Sequence, residues 1–487
     1  MPSLIASLVF AFGVFGLFRL DRDREVRTSK ALWIPAIWLW LCASRSLAEW
    51  LAILGWATPP DMTVSYMEGS PADRNAMAAL LALGLIVLCR RKNFGPLLRA
   101  NVPILLFFLY AALSTLWSDY PDITIKRWFK ALGDLVMVMV VLTDQDWRSA
   151  IKRVLVRTGF LVIPHSILVI KYYPEIGRSY NRWTWLVSYT GITTHKNELG
   201  KDCLIFGIVF LWCFLLAYRN GQDQHRTRRL IAHGAALAMV VWLFAMANSV
   251  TSQVTFSLAT AFFLAAGSRR FAQKRTAVHL LAAVFVLIPF STVFLGLGAG
   301  ALEGMGRDST LTGRTDIWQR VLTLAGSPLF GTGFESFWLG KRLEILQGPQ
   351  IGLNEAHNGY LEIYVTLGWI GVALLTAMIV TGYRNIIISF RRDPDVSRLR
   401  MAFFMAALVT SFTEAGFRML NLNWITFLIA AMAIPDGSSR VSTSHPLTRA
   451  RPSRREPVER VPVALTENGT LMAHQQPRGK FVRRSSS

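Results

Sequence analysis

The chain has 487 residues, of which 52% are hydrophobic, and its mean hydropathy is +0.37. Only 17% of the residues are charged, against roughly a quarter in soluble domains, so the composition excludes a large soluble protein. The net charge of +22 arises from basic residues in short loops between apolar runs and in the C-terminal tail. This distribution excludes a nucleic-acid-binding protein and is typical of a membrane protein whose basic loops face the cytoplasm.

Apolar runs recur along the chain, including residues 4–20, 104–116, 204–216, 280–297 and 370–380. The first run has no basic region before it and no convincing cleavage site, so we interpret it as a membrane helix rather than a removed signal. The cysteines lie in or at the edges of apolar runs, without metal-ligand spacing, and indicate small core residues: Cys42, Cys89, Cys203 and Cys213.

Loops rich in Arg and Lys alternate with loops that are poor in them. The rich loops lie near residues 22–30, 90–99, 148–157, 219–229, 269–275 and 384–400. The positive-inside rule assigns these loops to the cytoplasm, which predicts an all-α polytopic protein of about 12–13 transmembrane helices with its N-terminus outside. Residues 1–435 are the predicted transmembrane domain. Residues 436–487 have too few apolar residues to form a core and are predicted to be a disordered, basic cytoplasmic tail.

Two outer segments in the first half of the chain contain basic residues against the positive-inside trend. The turn at 118–124 leads into a helix that begins with Lys126, Arg127 and Lys130, and Lys196 lies in the loop at 174–201. Such side chains are candidates for attracting an anionic head group. The alternative is that they snorkel to the lipid surface without a functional role.

The longest outer loop spans residues 300–358. Apolar residues at helical spacing predict an amphipathic helix over 315–324, with Arg314 at its start and Arg320 on its polar side. A turn containing several glycines follows this helix. The loop is therefore expected to be structured.

Several motifs occur in a fixed order in this region. They are GRTDIW (313–318), SPLFGTGF (327–334), EAHNGYL (355–361) and GWIG (368–371), preceded by WSDYP (117–121) and THKNELG (194–200). In this order they resemble the O-antigen ligase and exopolysaccharide polymerase family (Wzy-type, ExoQ-like) of bacterial membrane glycosyltransferases. The resemblance covers roughly residues 104–434, and the two earlier motifs are similar to the polymerase branch.

The resemblance implies a GT-C-like helical enzyme in the bacterial inner membrane, with its active site facing the periplasm. Such an enzyme transfers a glycan from undecaprenyl diphosphate to an acceptor sugar hydroxyl. The expected partners are this lipid-linked glycan, membrane lipid and other polysaccharide assembly proteins, but no nucleic acid. We expect inverting transfer with no metal and no cofactor, because the outer segments lack a convincing acidic metal motif.

His357 is the predicted catalytic base, because an imidazole titrates near neutral pH; the alternative is a histidine that caps a helix. Arg314 is the predicted first ligand of the leaving diphosphate, because a guanidinium binds phosphate oxygens bidentately; the alternative is a surface arginine. The other predicted substrate-binding residues are the outer basic residues and the neighbours of His357 in its motif: Lys126, Arg127, Lys130, Lys196, Glu355 and Asn358.

The sequence departs from the family pattern at Gln253, where many relatives have a basic residue in an outer turn. An amide cannot replace that charge, and Lys196 is the first candidate to supply it. The i, i+4 pair Glu414 and Arg418 lies near an outer helix end, where a structural role is the favoured interpretation and contact with the site is the alternative. Asp119 and Asp122 are interpreted as a solvated turn.

The competing function is a transporter or a flippase of a lipid-linked glycan or small anion. Transporters place ionisable residues and broken helices near the membrane midplane. The polar candidates in this sequence lie in outer loops instead, which favours chemistry at the outer surface.

Overall fold

The computed structural model describes residues 2–23, 28–58, 69–180, 185–267, 275–295, 314–347 and 354–435. The predicted tail at 436–487 lies outside the described residues, as do the predicted loop's residues 300–313 and 348–353. The division into a transmembrane domain and a disordered tail therefore stays a prediction.

The described residues are mainly helical, as the composition predicts. The helices are α1 (Ser3–Leu20), α2 (Trp33–Cys42), α3 (Leu47–Ile53), α4 (Pro71–Cys89), α5 (Phe94–Ala100), α6 (Val102–Leu113), α7 (Pro121–Leu142), α8 (Trp147–Tyr172), α9 (Pro174–Gly177), α10 (Lys196–Arg219), α11 (Arg226–Ala247), α12 (Val250–Ala266), α13 (Arg275–Phe294), α14 (Arg314–Thr323), α15 (Gly340–Gln347), α16 (Gly359–Ser389), α17 (Pro394–Thr410) and α18 (Leu422–Ala431). A short antiparallel hairpin pairs β1 (Arg178–Tyr180) with β2 (Val187–Tyr189).

Seven of the described helices are long and apolar enough to cross a membrane: α1, α4, α8, α10, α11, α13 and α16. The number rises to nine if α2 with α3, bent by 72°, and α5 with α6, bent by 85°, each form one broken span. These helices confirm the predicted all-α polytopic membrane fold. Helices α7, α12, α17 and α18 pack in the same bundle, and the total of about 12–13 crossings stays a prediction.

The helices differ in how much of their surface is buried, and this difference distinguishes an inner helix from helices that face lipid. In α10, 78% of the apolar window is buried, whereas in α4 only 11% is buried. Large apolar side chains such as Phe12 and Ile86 are exposed on the outer helices. Lipid tails are as apolar as these side chains, so exposure of this kind is stable only within a bilayer.

The predicted outer segments meet at one end of the bundle. Asn197, at the start of α10, donates from Nδ2 to Glu414 Oε1 at 3.2 Å, in the turn after α17. At the opposite end, Arg91 Nη2 lies 3.0 Å from Asp144 Oδ2, so two of the predicted cytoplasmic loops also meet. The alternation of loops along the sequence thus matches the packing of the helices.

A bend in α16 joins this helix to the glycine-rich turn of the outer loop. Gly368 has a φ of +64°, and this break frees backbone groups that α16 would otherwise satisfy internally. The turn supplies the partners, since Trp369 N donates to Pro328 O at 2.9 Å and Gly333 N donates to Thr366 O at 2.9 Å. A Cβ on Gly368 would lie 2.3 Å from the carbonyl carbon of Leu329, so only glycine fits. We call this joint the Gly368 clasp.

Candidate active site

His357 lies at the end of the outer loop, where α16 begins. Its φ is +50°, a left-handed conformation that costs energy in a non-glycine residue. The neighbouring residues hold it there: Trp318 Nε1 donates to Ala356 O at 2.8 Å, and Gly359 N donates to Ser411 O at 2.8 Å. The amphipathic helix predicted over 315–324 is present as α14, and its indole thus positions the histidine.

Asn358 has a structural contact that accounts for its place in the motif. Its Oδ1 accepts hydrogen bonds from Tyr360 N at 3.0 Å and Leu361 N at 3.1 Å, so the side chain caps α16. The side chain's acceptor is thus already engaged within the protein. Its predicted role in substrate binding stays a prediction, and the cap is the contact that the structure describes.

Four charged residues lie around His357, and we call the five residues together the outer charge cluster. His357 Nδ1 lies 2.8 Å from Glu355 Oε1 and 3.7 Å from Glu414 Oε2. Arg314 Nη2 lies 3.3 Å from Glu414 Oε1, and Arg418 Nη1 lies 3.6 Å from Glu355 Oε2. Three segments that are distant in sequence thus place two carboxylates between two guanidiniums and one imidazole.

The cluster changes the expected charge of the histidine. Burial alone would lower the pKa of His357, but the nearby negative charges of Glu355 and Glu414 raise it to about 9. Burial would raise the pKa of Glu355, but His357, Lys201 and Arg418 lower it to about 2. The raised pKa favours the imidazolium form of His357 near pH 7, paired with a carboxylate. The predicted role of His357 as a base stays a prediction.

Buried polar contacts fix the cluster from behind. Glu362, in the first turn of α16, accepts from Trp338 Nε1 at 2.8 Å and from the backbone N–H of Ala356. Glu335 binds Arg418 with Oε2 at 2.9 Å from Nη2, and its backbone carbonyl accepts from Arg127 Nη1. Positioning of this kind limits the loss of side-chain freedom when a substrate binds.

Glu355, His357 and Glu414 are also the one group in the described residues whose ligand atoms, all within 4.8 Å of one another, could hold a metal ion. The surrounding cations argue against this use. Arg314 occupies Glu414 and Arg418 occupies Glu355, so a divalent ion would approach two guanidiniums directly. The donor set fits an ion-pair network better than a metal centre, and metal independence stays a proposal.

A groove lies beside the outer charge cluster, between α4 and α7. It has a volume of about 550 Å³, and its walls are mostly apolar, with Met77, Leu81 and Leu85 from α4 and Phe129 from α7. Cations line the rest of the groove: Arg74, Lys126, Arg127, Lys130 and Arg418. The structure therefore brings the predicted residues Lys126, Arg127 and Lys130 to one apolar groove, which we call the outer groove.

Lys196 lies apart from these contacts. It is half-buried in the first turn of α10, and no ion pair among the described residues includes it. Its neighbour Asn197 reaches Glu414, and Lys201, four residues further on the same face, lowers the pKa of Glu355. At Gln253 the side-chain amide donates to Phe244 O at 2.8 Å, so this residue stabilises the turn between α11 and α12.

Four residues of the arrangement were not among the predicted site residues: Glu414, Arg418, Lys201 and Arg74. Residues 411–420 form consecutive turns rather than a helix, so Glu414 and Arg418 do not have the helical i, i+4 geometry expected of them. Each residue pairs with the outer loop instead. Two signals in the sequence bear on this set: the position of Glu414 and Arg418 near an outer helix end, and the helical spacing from Asn197 to Lys201.

Comparisons with known proteins agree with the motifs. Residues 234–376 match the family described as O-Antigen ligase, and this stretch includes Arg314, Glu355 and His357. The chain is 28% identical over 336 residues to the "Exopolysaccharide production protein ExoQ" of Rhizobium meliloti (strain 1021), which covers 65% of this chain and 72% of the relative. Together with the ordered motifs and the polytopic helical fold, these similarities show that the chain resembles the O-antigen ligase and ExoQ-like proteins and support a role in polysaccharide assembly.

Proposed function

We propose that this protein assembles polysaccharide by transferring a glycan from undecaprenyl diphosphate to an acceptor sugar hydroxyl, on the periplasmic face of the inner membrane. The family match supports a glycosyltransferase-like activity, and the relative's description as an exopolysaccharide production protein supports the polymer product. The donor, the side of the membrane, the inverting course and the metal independence are the finer parts of the proposal.

The observation that carries the proposal is the position of Arg418, which belongs to both the outer groove and the outer charge cluster. A lipid diphosphate needs an apolar channel for its chain and cations for its head group. The outer groove offers both, and its cationic part continues through Arg418 to Glu355 and His357. The sugar attached to the diphosphate would thus reach the outer charge cluster.

The chemistry follows from this placement. The acceptor oxygen attacks the anomeric carbon of the donor glycan, and the bond from that carbon to the diphosphate oxygen breaks. Undecaprenyl diphosphate leaves with the electron pair, and a single displacement inverts the anomeric configuration. Arg314 and Lys196 stabilise the negative charge on the leaving diphosphate, which then needs no general acid.

His357 accepts the proton of the acceptor hydroxyl in this scheme. Glu355 and Glu414 both approach Nδ1, so Nε2 is the nitrogen left for the substrate. With a pKa of about 9, only about 1% of the imidazole is neutral at pH 7, so the base must first lose its proton. The paired carboxylates make neutral His357 a stronger base but reduce the fraction of His357 that is neutral. The rate of glycan transfer should therefore increase with pH.

The motifs near Trp117 and Lys196 favour a polymerase over a ligase, and the relative's description agrees. Deletion of the gene, followed by sizing of the cell's polysaccharide, distinguishes these activities. A polymerase defect leaves lipid-linked single repeats. Long chains that remain unattached would identify a ligase instead.

A transporter remains the competing class because the bundle contains broken spans. The separate break in α16 is filled by backbone hydrogen bonds with the outer loop in the Gly368 clasp, which does not favour an ion site there. Transfer by the purified protein, with no second compartment present, would exclude a function limited to transport.

The decisive experiment incubates purified protein with a synthetic lipid-diphosphate glycan and an acceptor, and measures both the elongated glycan and the released lipid diphosphate. Wild type should be active with and without EDTA. Arg314→Ala should lose on the order of a hundredfold or more in rate, since a cation at the leaving group is removed. Arg320→Ala is the matched control, because Arg320 is exposed on the same helix α14. The absence of product from wild type would overturn the proposal. Loss of activity in EDTA would overturn only its metal-free form.

A further inference from the structure

A second cavity lies at the opposite end of the bundle from the outer charge cluster. It has a volume of about 530 Å³ and is formed by α1, the residues that follow α1, and α8. Its lining combines aromatic and charged residues: Phe15, Phe18, Arg19, Asp21, Arg22, Asp23, Arg153, Val156, Arg157 and Phe160. We call it the inner pocket, because the positive-inside rule assigns this end to the cytoplasm.

The two aspartates of the inner pocket already contact basic side chains from outside it. Asp21 Oδ1 lies 3.0 Å from His233 Nε2 and 4.0 Å from Lys152 Nζ. Asp23 Oδ2 lies 2.7 Å from Arg229 Nη2. Because the two aspartates interact with these outside residues, their negative charge neutralises the positive charge of the pocket's arginines only in part.

The arginines of the inner pocket have few acidic partners in return. Arg19 and Arg22 are exposed, and no ion pair among the described residues includes either side chain. The Arg157 guanidinium lies 4.6 Å from the centre of the Trp33 ring. Tryptophan is enriched at the membrane–water interface, so this contact places the guanidinium at head-group depth.

The apolar part of the inner pocket extends toward the lipid. Phe15 is 65% exposed on α1, which is itself a lipid-facing helix, while Phe160 is buried on α8. A soluble anion would gain nothing from this aromatic wall. An acyl chain could lie along it while the phosphate of the same molecule meets the arginines.

We propose that the inner pocket binds an anionic glycerophospholipid, with its phosphate on Arg19, Arg22 and Arg157 and one acyl chain against Phe15 and Phe18. Basic pockets between transmembrane helices on the cytoplasmic side bind anionic lipid head groups by this combination of charge and apolar contact. The proposal does not depend on the glycosyltransferase activity, because the inner pocket and the outer charge cluster lie at opposite ends of the bundle.

The test is native mass spectrometry of the purified full chain with added phosphatidylglycerol or phosphatidylcholine of identical acyl chains. We expect several-fold more phosphatidylglycerol than phosphatidylcholine on the wild type. Arg19→Gln/Arg22→Gln should lower phosphatidylglycerol occupancy on the order of tenfold, since each interfacial arginine contributes substantially to binding of anionic lipid. Arg384→Gln/Arg391→Gln is the matched control, because it removes two exposed arginines from the same end of the bundle.

Equal binding of the two lipids to wild type would overturn the proposal without any variant. Unchanged phosphatidylglycerol binding by Arg19→Gln/Arg22→Gln would also overturn it, as would equal losses in this variant and the control. Millimolar inorganic phosphate should leave the bound lipid in place. Displacement by phosphate alone would identify a site for soluble anions and contradict the role of the aromatic wall.

Discussion

The substitution Glu355→Gln tests the link between the outer charge cluster and catalysis. Glu355 is the closer of the two carboxylates to His357, at 2.8 Å against 3.7 Å for Glu414. Glu414 also contacts Arg314 and Asn197, so its effect on the pKa of His357 should be the smaller of the two. Removal of the charge at Glu355 should therefore cancel the larger part of the increase in the pKa of His357.

The magnitude can be worked from the same contacts. The increase from 6.5 to about 9 corresponds to roughly 3 kcal/mol, since one pH unit is about 1.4 kcal/mol. If Glu355 supplies at least half of this, the pKa of His357 decreases by at least about one unit in Glu355→Gln. Arg418, which lies 3.6 Å from Glu355, would then be left unpaired at this contact and lower the pKa further.

Two measurements check this prediction. The pH profile of kcat/KM reports the ionisation of the free enzyme, and a base that must be neutral gives a rate that increases with pH through its pKa. This increase should be centred near pH 9 in wild type and near pH 8 or below in Glu355→Gln. NMR titration of labelled histidine gives the pKa directly, with the His357 signal assigned by its loss in His357→Gln.

Glu344→Gln is the matched control, because Glu344 is an exposed carboxylate on α15 in the same outer loop. It should leave both measurements unchanged. A rate that decreases with pH through 9 would show that the imidazolium is the active form and would refute the role of His357 as a base. A wild-type pKa near 6.5 would refute the description of the charge cluster itself.

Three further predictions follow from the contacts. The thermal stability of wild type should fall as pH increases from about 6.5 to about 9, because the ion pairs of His357 stabilise the fold only while the imidazole is charged. The variant His357→Gln should not show this decrease. Lys196→Ala should lose at least about tenfold in kcat/KM if Lys196 binds the leaving diphosphate, and unchanged steady-state kinetics would contradict that role. In a Cys89→Ser background, a membrane-impermeant thiol reagent added to intact cells should label Lys341→Cys but not Arg391→Cys, and the reverse pattern would invert the topology.

Local patterns predicted the parts of the fold that depend on local physics. The apolar runs and alternating basic loops predicted the helical bundle, because a bilayer forces backbone groups to pair within each segment. The helix at α14 was predicted by its apolar spacing, with Arg314 as its first residue. The ordered motifs predicted Arg314, Glu355 and His357 as site residues from the sequence alone.

The contacts of residues that enter the site through irregular backbone could not be predicted in this way. Glu414 and Arg418 lie in consecutive turns, where sequence spacing does not fix which side chains are neighbours. Arg74 reaches the outer groove only because α4 packs against α7, a long-range contact with no local signal. The raised pKa of His357 could not be predicted for a related reason: a pKa depends on neighbours in space, and Glu414 is distant in sequence.

The Gly368 clasp has a consequence for how the outer loop can change during evolution. The segment from Thr332 to Asn358 leaves the neighbourhood of Val365 and returns to the start of the same helix, so its two ends are fixed close together. Once the ends are fixed, each doubling of the length between them costs only about 0.6 kcal/mol. The length of the segment can therefore change at little cost in stability while its two ends stay fixed.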